Sequence, residues 1–178
     1  YWSAKEIELD HAISYGYLIG MSKNNIEMAT NFQNKIGLIE GALQGPHIFD
    51  KSIKNNESSG YYWKGVCYRY GYGTDTDMNK ALSFFGESAA RGSIMALYEL
   101  GLINYHGLGQ AKDQAEAYKY LTAFIHFYPY VFGSNYPEAG LLNSYLKNLS
   151  KDLSSSASKQ NKQLSDTYIQ SFSTLISK

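Results

Sequence analysis

The sequence has little of several features that constrain other proteins. Cysteine occurs once, at Cys67, which excludes an internal disulfide. Proline occurs three times. No apolar stretch approaches the ~20 residues that a membrane-spanning helix needs. The 16 basic residues are balanced by 16 acidic ones, so the positive excess expected of a protein that binds a phosphate backbone is missing. We therefore expect no nucleic-acid partner and no transmembrane segment in this sequence.

Tyrosine is abundant, with 17 copies in 178 residues. Its side chain combines a large apolar body with a polar tip, which suits both packing between helices and contact with another protein. A chain of this length buries roughly two-thirds of its unfolded surface, enough for one hydrophobic core. The composition predicts one domain or one short repeat array.

An internal repeat occupies the middle of the chain, where residues 65–77 align without a gap onto residues 101–113. The paired glycines fall where a first helix must end, because glycine takes left-handed backbone at low cost. Each aspartate precedes an apolar periodic run and so predicts the N-cap of a second helix. The shared positions are Gly65, Gly71, Gly73, Asp77 and Ala81 in the first copy and Gly101, Gly107, Gly109, Asp113 and Ala117 in the second.

Gly65 and Gly101 lie inside the predicted first helices, where glycine costs about 1 kcal/mol relative to alanine. We expect this cost to be offset by a close approach of the second helix, opposite Ala81 or Ala117. The sequence thus predicts two units, each a pair of antiparallel helices.

The residues of the second copy resemble the Sel1-like repeat, and the resemblance covers about residues 60–124. A tetratricopeptide array is the alternative, but its period is about 34 residues and it lacks the paired glycines. The resemblance implies an all-α fold, an α-α superhelix in the form of a short right-handed solenoid of antiparallel helix pairs with N- and C-terminal capping helices. The residues that carry it are Leu100-Gly101, Tyr105, Gly107-Leu-Gly109, Asp113, Ala117 and Tyr120-Leu121, with Ala89-Ala90-Arg91-Gly92 and Ala96 closing the first unit.

Residues 1–58 are predicted to hold N-terminal helices and a linker, with a degenerate repeat as an alternative. The spacing of Ser3 and Glu6 predicts a capping box and a helix to about Gly20. A second helix is predicted from Asn25 to Gln44. Residues 47–59 are polar and lack helical periodicity, which predicts a linker or exposed loop.

Residues 59–127 are predicted to be the two repeats, and residues 128–178 a loop and C-terminal capping helices. An aromatic-rich loop is expected over 128–136, and a helix beginning at Pro137. Ser154-Ser155-Ser156 is expected to interrupt it. A last helix is predicted from Lys159 to Ile176, with an apolar face formed by Leu164, Tyr168, Phe172 and Leu175.

The chemistry-bearing residues do not form a recognisable site. The four histidines, at positions 11, 47, 106 and 126, lack the spacing of a helical zinc site. Two serine-lysine pairs have the spacing of penicillin-recognising enzymes, but the partner motifs of those enzymes are missing. We therefore predict no catalytic residue, no metal, no cofactor and no enzymatic activity. A small envelope hydrolase stays as an alternative, with Glu40, Asp50, Glu99 and Glu116 as its available carboxylates.

The predicted function is binding of another protein through the concave face of the solenoid. Tyrosine and arginine dominate interface hot spots, and both cluster near the ends of the predicted first helices. The repeat core is the alternative role for Tyr62, Tyr68, Tyr98 and Tyr105, and the aromatic loop is a second candidate surface. The predicted partner-binding residues are Tyr68, Arg69, Tyr70, Tyr72, Asn104, Tyr105 and His106.

The resemblance implies a bacterial adaptor, host-interaction factor or immunity protein that inhibits a toxin. A structural subunit of an envelope or secretion machine is a further alternative. The sequence does not fix the compartment, although we favour a bacterial periplasm or cell envelope over the cytoplasm.

Overall fold

The computed structural model describes residues 45–132, 139–152 and 155–177, and the helices predicted before Gly45 lie outside these ranges. Every regular element in the described ranges is helical, which confirms the all-α prediction. No helix among them is long and apolar enough to cross a membrane. A 3-10 turn at Pro46–Phe49 is followed by α1 (Asp50–Lys54), α2 (Ser58–Tyr70), α3 (Met78–Ala89), α4 (Ile94–His106), α5 (Gln114–Phe132), α6 (Ala139–Asp152) and α7 (Ser155–Ile176).

Helices α2 and α4 end in the same way, as the repeat predicts. Gly71 and Gly107 are left-handed, with φ of 76° and 69°. The Gly71 N–H donates to the carbonyl of Cys67 at 2.8 Å, and the Gly107 N–H donates to the carbonyl of Ile103 at 2.9 Å. The donor and acceptor of the second bond are displaced from those of the first by the same number of residues as the two copies of the repeat. The two turns therefore have the same backbone structure.

Asp77 and Asp113 cap α3 and α5, as predicted. The Asp77 carboxylate accepts the backbone N–H of Lys80 at 3.0 Å. The Asp113 carboxylate accepts the N–H groups of Ala115 at 3.0 Å and Glu116 at 2.9 Å. The backbone N–H of Lys80, together with its ammonium group, lowers the pKa of Asp77 below its usual value. Each carboxylate therefore satisfies donors that the first helical turn leaves open.

The close approach predicted at Gly65 and Gly101 is present, but the residues opposite them differ from the prediction. A Cβ atom on Gly65 would lie 2.6 Å from the ring of Phe85, and one on Gly101 would lie 2.5 Å from the Leu121 side chain. Phe85 and Leu121 lie one helical turn after the predicted Ala81 and Ala117, so the second helix crosses the first one turn later than predicted. Phe85 and Leu121 are both fully buried.

The prediction of a linker over residues 47–59 is wrong. The turn from α1 into α2 has the same hydrogen bonds as the turn from α3 into α4. The N–H of Asn56 donates to the carbonyl of Ile53 at 2.9 Å, and the N–H of Gly92 donates to that of Ala89 at 2.9 Å. Asn56 and Gly92 both have positive φ, 59° and 86°. The segment α1 therefore corresponds to the last turn of a second helix, and the repeat geometry begins before α2.

The prediction missed this turn because asparagine replaces glycine in it. Asparagine is the other residue that readily adopts left-handed backbone. Packing of the segment on α2 holds it in place: the rings of Phe49 and Trp63 stack at 6.2 Å, and Asp50 pairs with Lys64 at 2.5 Å.

The predicted loop beginning at residue 128 is wrong for residues 128–132, because α5 continues through Pro129 to Phe132. Proline inside a helix removes one hydrogen bond. Burial of the flanking aromatic residues outweighs that loss: Phe127 and Tyr128 are 4% and 2% exposed. Residues 133–136 and the helix start predicted at Pro137 lie outside the described residues.

Helix α7 starts at Ser155, so the break expected in the serine run does not extend past that residue. The helix packs along α5, with Tyr120 against Tyr168 at 5.6 Å and Phe127 against Phe172 at 5.0 Å. Burial raises the pKa of Tyr168 to about 12. This helix covers one side of the array, as a capping helix should.

The apolar face predicted for α7 is only partly correct. Leu164 and Leu175 are 52% and 37% exposed, whereas Asn161 and Ser165 are buried. The helix is rotated so that Tyr168 and Phe172 contact α5, and this rotation turns the two leucines outward.

Candidate protein-interaction surface

The predicted binding residues lie at the ends of α2 and α4 and in the turn after α2. They fall into groups that differ in their contacts and burial. Tyr70 and Tyr72 are in ring contact at 5.8 Å, and the Arg69 guanidinium lies 5.0 Å from the centre of the Tyr70 ring. In α4, the rings of Tyr105 and His106 are 5.0 Å apart.

Arg69 joins two units of the array. Its guanidinium forms an ion pair with Glu99, which reaches across from α4. The two side chains are only 11% and 4% exposed. A buried charge requires a partner, so this pair holds α2 against α4. The prediction that Arg69 is a free surface contact is therefore corrected: its side chain forms an ion pair between two helices.

Tyr72 and Asn104 are also removed from the predicted surface, because they are 3% and 6% exposed. The Asn104 amide group donates to the Leu100 carbonyl at 2.7 Å and accepts from the Gln110 amide at 2.7 Å. Asn104 thus ties the end of α4 to the turn that follows it.

Tyr68 belongs to a stack of rings and lysines on the first unit. Its ring is parallel to that of Phe84, at 5.6 Å and 4°. Lys80 lies 5.0 Å from the centre of the Tyr68 ring, and Lys64 lies 5.4 Å from that of Phe84. Tyr68 is half-buried, and its ring face is occupied by this intramolecular contact.

Tyr105 and His106 meet a residue that the sequence analysis did not assign to the site. Tyr145 of α6 packs against Tyr105 at 4.4 Å and meets His106 edge-on at 5.7 Å. His106 is exposed, whereas the two tyrosines are half-buried. The spacing of Tyr145 along its helix carries no sign of this contact.

Helix α4 presents one narrow strip to solvent. Eight of its 13 residues are buried. The five that keep some exposure fall at positions 95, 98, 102, 105 and 106, which places them on one face of the helix. None of them is an acid, a lysine or an arginine. This α4 stripe consists of Met95, Tyr98, Leu102, Tyr105 and His106.

Met95 and Leu102 could not be identified as surface residues from the sequence. Almost every position of α4 is apolar, so its hydrophobic pattern does not distinguish a solvent face from a buried one. Only the positions of α3, α5 and α6 around α4 reveal the difference.

Those carboxylates considered for hydrolysis that lie within the described residues all form ion pairs. Asp50 pairs with Lys64, Glu99 pairs with Arg69, and Glu116 pairs with Lys119 at 2.6 Å. Glu40 lies outside the described residues. Burial raises the pKa of the Cys67 thiol to about 11, so this thiol stays protonated near neutral pH. Across residues 45–132, 139–152 and 155–177, no three metal-ligating side chains form a group.

Comparison with known proteins relates this geometry to a repeat family. Residues 53–93 and 94–123 match the Sel1 repeat. Protein SHC1 of Saccharomyces cerevisiae is 31% identical over 61 residues, which are 34% of this chain and 12% of the yeast protein.

Comparison with solved structures finds two bacterial proteins. The first is a protective antigen of uropathogenic Escherichia coli strains with an SLR fold, which superposes with a TM-score of 0.61 at 19% identity. That match covers 94% of this chain and 40% of the antigen. The second, a Sel1 repeat protein from Oxalobacter formigenes, has a TM-score of 0.44 at 17% identity and covers 83% of this chain and 70% of that one.

The chain spans less than half the length of the antigen and a smaller part of the yeast protein. The superposition on the antigen and the turn hydrogen bonds repeated within the chain both support a helical solenoid. Sel1 repeats typically mediate interactions between proteins. The two adjacent segments that match the Sel1 repeat meet where the turn after α3 leads into α4.

Proposed function

We propose that this chain is a bacterial adaptor or an immunity-type inhibitor that binds one partner protein through the concave face of its solenoid. The contact surface we assign to this function is the α4 stripe, together with Tyr145 and the half-buried Tyr70. It replaces the seven-residue surface predicted from the sequence, in which Arg69, Tyr72 and Asn104 have internal roles.

The observation that carries the proposal is the composition of the α4 stripe. Methionine, leucine and tyrosine remain partly exposed along one helix face without a lysine, arginine or acid among them. Depletion of charge with enrichment of aromatic residues and methionine is typical of the centre of a protein interface. A surface of this kind loses water favourably when a matching apolar face covers it.

The experiment is capture of partners from lysate of the source cells on immobilised protein. Met95→Glu and Leu102→Glu each place a charge in the α4 stripe, and we expect either change to abolish capture of a specific protein. The matched control is Leu108→Glu, which changes a leucine that is 36% exposed in the turn after α4.

Circular dichroism and thermal unfolding must show that the variants remain folded. Capture that survives both stripe variants would contradict the assigned surface. Hydrolysis of a cell-wall or peptide substrate by the purified chain, lost in Glu116→Gln, would instead support the hydrolase.

A structural subunit is the second candidate, and the exposed residues of α7 favour it. Leu164 and Ile176 are 52% and 43% exposed on a helix whose other side packs on α5. Size-exclusion chromatography of the purified chain distinguishes the two roles. A monomer supports the one-partner binder, and a stable oligomer disrupted by Leu164→Glu supports the subunit.

A further inference from the structure

Two tyrosine rings meet at a right angle where α7 packs on α5. The ring centres of Tyr120 in α5 and Tyr168 in α7 are 5.6 Å apart, with an interplanar angle of 87°. The ammonium group of Lys119 lies 4.4 Å from the centre of the Tyr120 ring and 5.2 Å from that of the Tyr168 ring. Both distances are within the roughly 6 Å over which a ring face attracts a cation.

A carboxylate completes the surroundings of this ammonium group. Glu116 lies one turn before Tyr120 on α5, and its two carboxylate oxygens accept hydrogen bonds from Lys119 at 2.7 and 2.6 Å. Burial and the negative charge of Glu116 raise the pKa of Tyr120, so its hydroxyl stays protonated near neutral pH. One cation is thus held by two neutral rings and one negative charge. We call Tyr120, Tyr168 and Glu116 the ammonium cage.

The first repeat unit has a lysine above a tyrosine without a cage of this kind. Lys80 lies 5.0 Å from the centre of the Tyr68 ring and pairs with Asp77 at 3.1 Å. The neighbouring ring of Phe84 is parallel to that of Tyr68, with an interplanar angle of 4°. A parallel pair of rings offers a cation one ring face, whereas a perpendicular pair offers two faces to the same point. The cage is therefore more than a lysine packed on a ring.

Lys119 is an occupant that a ligand can replace. Its ammonium group reaches the cage on a flexible four-carbon stem. The side chains of Lys119 and Glu116 are 21% and 41% exposed, so the cage opens to solvent. Other contacts hold α7 on α5 without Lys119, such as that between the rings of Phe127 and Phe172 at 5.0 Å. Since partly exposed ion pairs contribute little to stability, a ligand cation displaces Lys119 at small cost.

We propose that the ammonium cage binds the ammonium group of a ligand, with a quaternary ammonium as the preferred form. A primary ammonium group is strongly hydrated. A quaternary one loses less hydration on entering the cage and keeps the charge that the ring faces attract. Choline and trimethyllysine carry this group. The cage contains no residue of the proposed contact surface, so this inference goes beyond the proposed function and is tested separately.

The test is an NMR titration of the full chain with choline at constant ionic strength, followed on the tyrosine ring resonances. The unmodified chain should bind choline weakly, because Lys119 occupies the cage. Lys119→Ala should bind it about tenfold more tightly, since a cage that is already free has no internal competitor. The matched control is Lys80→Ala, which removes the lysine over the single ring face of Tyr68 and should leave the affinity for choline unchanged.

Two further variants test the parts of the cage. Lys119→Ala/Tyr168→Leu should lose choline binding, because one of the two ring faces is removed. Lys119→Ala/Glu116→Gln should retain the rings and bind choline more weakly, because the negative charge is lost. Thermal unfolding must show that both variants remain folded. Choline binding that is unchanged in both would contradict the assignment of these residues.

The choice of ligand tests the chemistry of the site. Neohexanol, the neutral analogue of choline with carbon in place of nitrogen, should bind Lys119→Ala about tenfold more weakly than choline does. A peptide with trimethyllysine should bind more tightly than the same peptide with unmodified lysine, and its affinity relative to choline identifies a protein side chain or a small molecule as the better ligand. The proposal is overturned if Lys119→Ala binds choline no more tightly than the unmodified chain, if neohexanol binds as well as choline, or if Lys80→Ala has the same effect as Lys119→Ala.

Discussion

The two repeat units share a backbone conformation but differ in the chemistry of equivalent side chains. In the first unit, Arg69 reaches the next first helix through an ion pair with Glu99. In the second unit, Tyr105 occupies the same repeat position and contacts the following helix α6 through the ring of Tyr145. The comparison teaches that repeat geometry fixes which position contacts the neighbouring unit, while the interaction made there is free to vary.

The second helices differ in the same way. Ser88 of α3 is fully buried, and its hydroxyl donates to the Ser58 carbonyl at 2.8 Å. At the equivalent position of α5, Phe124 packs on Tyr98 at 5.1 Å. The same position of the second helix thus contacts the first helix through a hydrogen bond in one unit and through a ring contact in the other.

The strongest test of the comparison is the pair of contacts made at the glycines inside the first helices. Phe85→Ala should destabilise the chain by about 4 kcal/mol and Leu121→Ala by about 3 kcal/mol, because each leaves a cavity in a fully buried site. Urea unfolding measures both. Equal and small losses would show that the glycine contacts do not hold the helix pairs together.

Adding a methyl group at the glycine sharpens this test. Gly65→Ala alone should destabilise the chain, because the new Cβ would lie 2.6 Å from the Phe85 ring. In the Phe85→Ala background the same change should become stabilising, since the space is then free and alanine favours the helix. A methyl group that destabilises both backgrounds equally would contradict the close approach.

The ion pair of Arg69 with Glu99 and the ring contact of Tyr105 with Tyr145 should differ in the stability lost when one partner residue is removed. Glu99→Ala leaves the buried Arg69 guanidinium unpaired and should cost about 3 kcal/mol. Tyr145→Ala removes a half-buried ring contact and should cost about 1 kcal/mol. Unfolding in urea compares them. The double variant Arg69→Met/Glu99→Leu should recover most of the loss, and a double variant no better than Glu99→Ala would show that the ion pair is required as such.

The sequence predicted the parts of the fold that depend on backbone conformation. The glycines at 71 and 107 and the aspartates at 77 and 113 have roles set by local geometry, so their pattern was sufficient to place helix ends. The turn at Asn56 was missed because a different residue supplies the same backbone conformation. The course of α5 through Pro129 was missed because burial of Tyr128 and its neighbours overrides a local preference.

The candidate site was less predictable than the fold, because it depends on which helix faces remain uncovered. Arg69 and Tyr72 have the residue types of a binding surface, but their burial is decided by α4 and by the turn that contains Tyr72. Met95 and Leu102 have the residue types of a core, but no described helix covers them fully. Residue type alone cannot distinguish these cases.

The caps of the second helices provide a smaller test of the equivalence. Asp113→Ala should cost about 1 kcal/mol, because two backbone N–H groups lose their acceptor. Asp77→Ala should cost less, since Asp77 accepts a single close N–H. Asp113→Asn is the control, because its amide oxygen preserves the cap. Thermal unfolding of the three variants tests this order. A larger loss of stability in Asp77→Ala than in Asp113→Ala would contradict it.

The smallest effect is expected from exchanging the residues that lead into the first helices. Asn56→Gly should change stability by less than about 0.5 kcal/mol, because glycine relaxes the left-handed backbone while the hydrogen bond from Arg91 is lost. Gly92→Asn should cost more, since a Cβ at this position would lie 3.0 Å from Ile176 of α7. Chemical denaturation of the two variants measures the asymmetry. Equal effects would mean that α7 does not restrict the side chain at position 92. Either turn would then accept asparagine or glycine equally well.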